Sequence, residues 1–178
     1  MSGICACDDA GPGGATTVIR LASAGDSAAI AHVYNYYVDH TIVTFEDVPV
    51  ADAEMGRRVS DVQGASFPWL VFEDDGQILG HAYATPWKAR SAYRFAVEST
   101  VYVRDGATRK GIGSALYSEL FALLRARGVH TVIGGIALPN DASIALHEKF
   151  GMTKVAHFKD VGFKLGRWVD VAYWQLLF

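Results

Sequence analysis

The stretch Glu98–Ser114, ESTVYVRDGATRKGIGS, decides how the rest of the chain is read. An alternating strand runs into a turn of glycines and cations, and the turn opens directly into an amphipathic helix. Amide N–H groups in the first turn of a helix have no partner within it, and the peptide dipoles add partial positive charge there. Gly111 and Gly113 let an anion approach the main chain closely. Arg109, Lys110, Gly111, Ile112, Gly113 and Ser114 are therefore a candidate site for phosphate or pyrophosphate.

Two common phosphate motifs fail on this segment. A nucleotide P-loop needs Lys and Ser/Thr after its second glycine, but Ile112 and Gly113 follow Gly111. The dinucleotide fingerprint needs a third glycine where Leu116 stands. A GxG helix start remains. Alone it fits an anion site and a plain turn equally well, so its surroundings must decide.

The 178 residues are 51% apolar and 20% charged, which is the composition of one globular domain. A net charge of -3 argues against a general nucleic-acid binder. No apolar run has the length of a membrane span. Residues 1–16 are small and glycine-rich without the apolar centre of a signal peptide, and are expected to form a disordered tail ahead of a single domain at 17–178. Cys5 and Cys7 lie in that tail, with neither zinc-site nor disulfide-framework spacing. No metal is expected, and a reducing cytoplasm is the expected setting.

Periodicity and turn signals predict a strand at 17–21, a helix from an Asp26 N-cap to Val38, and a helix at 51–62. Strands at 69–72 and 78–85 flank the turn Asp74-Asp75-Gly76. A strand at 94–103, a helix at 111–128, a strand at 131–138 and a helix at 142–150 follow. Strands at 155–161 and 169–177 end the chain. The order β-α-α-β-β-β-α-β-α-β-β mixes hairpins with crossovers. It implies an α/β fold with one mixed sheet flanked by helices.

Several residues stand out chemically. Glu98 lies in mid-strand, where a carboxylate is costly unless it is paired or faces a cleft. It reads as a general base with a raised pKa, or as half of an ion pair with Arg94. His147 follows Ser143 by one helical turn and reads as a proton carrier or as a half-buried histidine bonded to the main chain. Asn140 follows Pro139 at a strand end, where α/β sheets bind ligands, and is equally a good N-cap. Trp87–Arg94 is an aromatic, basic loop. Its cations suit a substrate carboxylate, with Arg90 able to hold it in a bidentate way, or are solvated loop charges.

With these residues in hand, the chain resembles the GNAT superfamily of acetyl-CoA-dependent N-acyltransferases. Within it the chain is similar to the phosphinothricin and methionine sulfoximine N-acetyltransferases. The segments that carry the likeness are VESTVYV (97–103), GIGSALY (111–117), IGGIALPNDAS (133–143), LHEKFG (146–151) and VGFKLGRWVDVAYWQ (161–175). Thr108 stands where the superfamily usually has Gln or Arg.

The resemblance implies a GNAT-like fold with acetyl-CoA as co-substrate. Val101, Tyr102 and Val103 would meet its pantetheine arm, residues 109–114 its pyrophosphate, and Asn140 would be a further cofactor contact. It implies Glu98 and His147 as catalytic groups, and superfamily practice gives Tyr117 the role of protonating the leaving thiolate. Lys88, Ala89, Arg90, Glu98, Ser99 and Thr100 would contact substrate. Apart from the resemblance, Phe45 and Glu46, on the loop between the first two helices, read as a wall of the pocket. It also implies a homodimer without nucleic-acid or membrane partners. Transfer to another amine and a non-catalytic acyl-CoA sensor are the competing readings.

Overall fold

The computed structural model describes residues 16–108 and 110–178. The readings on Cys5, Cys7 and Arg109, and nearly all of the expected tail, lie outside the described residues.

The elements, in chain order, are β1 (Thr17–Leu21), α1 (Ser27–His40), α2 (Asp52–Gly64), β2 (Trp69–Asp74), β3 (Gln77–Pro86), β4 (Ala96–Val103), α3 (Ile112–Ala126), β5 (Thr131–Leu138), α4 (Asp141–Lys149), β6 (Thr153–Lys164) and β7 (Arg167–Leu177). They follow the expected order. Short 3-10 turns at Ala24–Asp26 and Ser91–Tyr93 shift two expected boundaries. Asp26 does precede α1, but its carboxylate caps the 3-10 turn, accepting from the Ser23 amide at 2.7 Å, and is held by Arg20 at 2.7 and 2.8 Å. The fourth strand begins at Ala96, because the turn at 91–93 occupies the chain before it.

All strands join one 7-stranded sheet in the order β1-β2-β3-β4-β5-β7-β6. The β4–β5 pair is parallel and the other neighbours are antiparallel. β7 is an inner strand, and β6 forms the edge. A crossover through α3 is what a parallel pair requires.

Each sheet face has its own core. On one, α3 presents Ile112, Leu116, Tyr117, Leu120, Phe121 and Leu124 at helical spacing against Leu70, Ala82, Ala84, Val97, Val132 and Ile136. On the other, Ile30, Tyr34 and Val38 of α1 and Met55 and Val59 of α2 cover Trp69, Val71 and Ile78. Removing a fully buried leucine such as Leu116 costs roughly 2–5 kcal/mol. Alternation along β4 divides its residues between the cores, with Val97 in the α3 core and Tyr102 packed on the α1–α2 core.

Candidate active site

β4 and β5 pair only through Ala96↔Thr131, Val97↔Val132 and Glu98↔Ile133. Beyond Glu98 the parallel strands part. β4 stays bound to β3 as far as Val103, and β5 stays bound to β7 as far as Leu138. The fork opens into a cleft of about 650 Å³. Its wall includes Glu98, Ser99, Thr100, Val101 and Tyr102 of β4, Gly135 and Ile136 of β5, Tyr117 of α3, and Asn140, Ser143 and His147 at α4.

The helix α3 begins beside this fork. Its N-cap is Gly111, in the left-handed region at φ 81° and without a side chain to cap the first amides. Gly113 has a separate reason. A Cβ there would stand 3.2 Å from Leu146 Cδ2, so its absence lets α4 pack close to the helix start. Lys149 of α4 adds a cation nearby, donating to Ser114 Oγ at 3.0 Å. Lys110 and Thr108 are exposed on the preceding turn. A helix start that no described side chain caps, local positive charge and an adjoining open strand edge fit a phosphorylated group with an extended arm.

Glu98 lies at the crotch of the fork, and burial pushes its carboxyl pKa upward while the nearby Lys88 charge opposes the shift. Among the described residues it forms no ion pair. Arg94 donates to the Ser91 carbonyl at 3.2 Å and lies over the Phe95 ring instead. A Cβ on Gly135 would stand 3.1 Å from Glu98 Oε1, so glycine leaves room for the carboxylate.

His147 is buried on the other side of the sheet. Its Nδ1 lies 2.7 Å from the Ser143 carbonyl, which can only accept, so Nδ1 carries the proton. Burial lowers the imidazole pKa and favours the neutral ring. Nε2 is then a bare acceptor, 3.1 Å from Tyr117 Oη. Ser99 Oγ lies 3.4 Å from Tyr117 Oη and equally far from the Ile133 carbonyl. The ring rests directly on Gly134, where any Cβ would overlap it.

Asn140 caps α4, accepting from the Ser143 amide through Oδ1 at 3.1 Å, and it also lines the cleft. Phe45 sits on a strap between α1 and α2, with its ring against Gly162 of β6. The strap is pinned from both sides. Thr44 and Glu46 bond Tyr34 at 2.6 and 3.0 Å, Arg58 holds the Glu46 carboxylate at 2.6 Å, and buried Lys164 donates to the Glu46 carbonyl. Lys88, Ala89 and Arg90 are exposed and do not form the cleft wall. Lys88 lies over the Trp87 ring, which meets the cleft residue Tyr173 edge-on at 5.6 Å. The sequence reading passed over Gly134, Gly135, Tyr173, Lys149 and Lys164. The pair Gly134-Gly135 inside a predicted strand was the available signal, because glycine there marks a close approach.

A mixed sheet whose one parallel pair splays beside an uncapped helix start defines the class of acyltransferases built on the GNAT fold. The chain belongs to that family: the Acetyltransferase (GNAT) domain family matches residues 19–173. It is 43% identical over 157 residues to a phosphinothricin N-acetyltransferase of Streptomyces viridochromogenes, covering 88% of this chain and 85% of that protein. It is 37% identical over 158 residues to the L-methionine sulfoximine/L-methionine sulfone acetyltransferase of Salmonella typhimurium, covering 89% and 92%. Among solved structures it resembles a GNAT superfamily phosphinothricin acetyltransferase from Sinorhizobium meliloti in complex with AcCoA, with a TM-score of 0.88, 39% identity and coverage of 91% and 88%. The protein is an acetyltransferase.

Proposed function

We propose that the protein moves the acetyl group of acetyl-CoA onto the primary amine of a small amino acid or analogue of the phosphinothricin, methionine sulfoximine or methionine sulfone type. The observation that carries this reading is the fork, with a carboxyl of raised pKa at its crotch and an uncapped helix start beside it. Relatives bearing those substrate names lend support.

The donor's pyrophosphate would rest on the amides of Ile112, Gly113 and Ser114, with Arg109, Lys110 and Gly111 completing the turn. Its pantetheine would lie along Val101, Tyr102 and Val103 as an added strand. Asn140, whose Oδ1 serves the cap, would offer its side-chain NH2 to the donor. When bound, the donor supplies an activated acetyl carbon. Glu98 takes a proton from the ammonium of the acceptor, directly or through water, because only the free amine is a nucleophile. The Val101 amide stabilises the developing oxyanion, and Tyr117 protonates the departing sulfur.

We assign the acceptor end to Phe45, Phe158, Val161, Phe163, Ser99 and Thr100, all of which line the cleft. The exposed cations Lys88 and Arg90 would attract the acceptor's carboxylate. Among the described residues Glu98 is the sole carboxylate in the wall, which favours an amino acid over a polyamine. We place the protein in the cytoplasm as a homodimer. No described helix is long and apolar enough to cross a membrane. Phe158, Val161, Phe163 and Trp168, each more than half exposed, give the β6–β7 hairpin an apolar face for a second copy.

A thiol-release assay with acetyl-CoA and a panel of amines tests the reading. Release with methionine sulfone or phosphinothricin supports it. Release only with polyamines or peptides redirects the substrate class, and binding without release with any amine identifies a sensor.

A further inference from the structure

Lys164 closes β6 and is only 2% exposed. An ammonium carries three donors and no acceptor, and taking it out of water is costly unless it is paired. Among the described residues it is bonded to the Glu46 carbonyl and has the Asp47 carboxylate 4.0 Å away, on a side chain that is mostly in water. An apolar side chain of similar length would fill the same space without that cost. Stability alone therefore does not account for the charge.

The same strap residue is gripped at its other end. Arg58 of α2 donates to the two Glu46 carboxylate oxygens from Nη1 and Nη2, at 2.6 and 3.2 Å. Such a fork fixes direction as well as distance. Tyr34 of α1 adds a bond at 3.0 Å. Glu46 is thus tied to α1 and α2 by its side chain and to β6 by its main chain. Its neighbours Thr44 and Phe45 both line the cleft. The Phe45 ring lies on Gly162, where any Cβ would overlap it. Gly162 and Lys164 are alternate residues of β6 and share a strand face. The ring therefore has a seat at Gly162 and its next residue an anchor at Lys164.

We propose that Lys164 and Arg58 are positioning residues that decide which acceptor side chains fit, by clamping Glu46 from opposite ends and so fixing the Phe45 ring in the cleft wall. This rests on the acetyl-transfer reading above and on the assignment of Phe45 to the acceptor end. Neither cation lines the cleft, so both act through the strap. With the clamp closed, the acceptor's side chain is measured against a ring that cannot retreat. With either cation removed, the strap lifts and the freed Glu46 groups turn to water. The pocket then holds a small side chain more weakly and admits a larger one. The donor's path along Val101–Val103 belongs to β4 and is untouched.

The test compares the full-length wild type with Lys164→Met, Arg58→Met, Phe45→Ala, and each cation change combined with Phe45→Ala. It measures thiol release with methionine sulfone and with the larger phenylalanine, KM for acetyl-CoA, denaturant midpoints, and hydrogen exchange of the strap amides. Each cation change is expected to raise KM for methionine sulfone about 10-fold, the low end of what one methylene in an apolar pocket is worth. KM for acetyl-CoA should hold, and kcat/KM for phenylalanine relative to methionine sulfone should rise. The strap amides should exchange faster while the denaturant midpoint stays near that of the wild type. In the Phe45→Ala background neither cation change should add a further loss, because the ring they hold is gone. Losses that multiply with Phe45→Ala, strap exchange as slow as in the wild type, or a rise in KM for both substrates together overturn the clamp while leaving acetyl transfer standing. If Lys164→Met does not fold, Arg58→Met, at a partly exposed site, decides by the same criteria. A wild type that releases no thiol with any amine overturns the acetyl-transfer reading and the clamp's role in specificity with it.

Discussion

Glu98 and His147 lie on opposite faces of the sheet, each fitted over one of two adjacent glycines of β5. A Cβ on Gly135 would stand 3.1 Å from Glu98 Oε1, and one on Gly134 would overlap the His147 ring. Neighbouring strand positions face opposite ways, so the glycine pair makes room on both sides of the fork. Gly134→Ala must displace a buried histidine, whereas Gly135→Ala needs only a few tenths of an ångström from the Glu98 carboxylate and the Tyr173 ring. Gly134→Ala is expected to lose stability by about 1–3 kcal/mol, the usual cost of overpacking, and Gly135→Ala much less. Denaturant titration checks the stability, and the thiol-release assay should show Gly135→Ala folded but slowed.

In its proposed role as base Glu98 must be ionised, so activity should fall as pH drops through its pKa, which burial places above the ordinary carboxylate value. Lys88 pulls that pKa down. Lys88→Ala should therefore raise it and move the acid limb of kcat/KM to higher pH, while Arg90→Ala should leave that limb in place. Arg90→Ala should instead raise KM for amino-acid acceptors more than for an amine without a carboxylate. The pH–rate profiles of the two variants, with both kinds of acceptor, separate the effects.

His81 has a different pH consequence. Its ring is fully buried, stacked near Trp69 and Tyr83, and neither nitrogen has a protein partner. Burial pushes its pKa down to about 3. The unfolded chain binds this proton near pH 6.5 and the folded one near pH 3, so the ring's contribution to stability is complete above pH 6.5 and is lost as pH falls toward 3. His81→Leu should remove that dependence. The stability difference between the proteins should change by about 1.4 kcal/mol per pH unit in this window, as read by denaturant titrations at several pH values.

The strap 41–49 places Val43, Thr44 and Phe45 in the cleft wall, and Phe45 rests on Gly162. Phe45→Ala should raise KM for the acceptor and leave acetyl-CoA affinity unchanged. Gly162→Ala should push the ring aside and do the same. Steady-state kinetics with each substrate varied in turn gives the comparison.

The exposed apolar face of β6–β7 predicts self-association. Trp168→Glu should convert a dimer into a monomer in sedimentation velocity. A wild type that sediments as a monomer at all concentrations contradicts the dimer.

The order of elements along the chain and the strand–turn–helix unit at 98–114 were legible because their signals are local: alternation, a glycine turn and helical periodicity. Asn140 was legible as a cap for the same reason, since Pro139-Asn140-Asp141 interrupts an apolar run. The parting of β4 from β5 was not, because the register of strands far apart in the chain decides where pairing stops. Lys164 was hidden by its residue type. A lysine on an edge strand reads as solvated, yet this one is buried under the strap and bonded to the Glu46 carbonyl. The charges of the Lys88–Arg90 loop read equally as a carboxylate clamp and as solvated cations, and those side chains are exposed and absent from the cleft wall.

The most direct measurement is a crystal structure of the protein with acetyl-CoA and methionine sulfone bound. It should show the pyrophosphate on the amides of residues 112–114, the pantetheine along Val101–Val103 within the fork, and the acceptor amine between the thioester carbon and Glu98. Density for acetyl-CoA elsewhere on the molecule, or a fork closed by continued pairing of β4 with β5, would contradict the account.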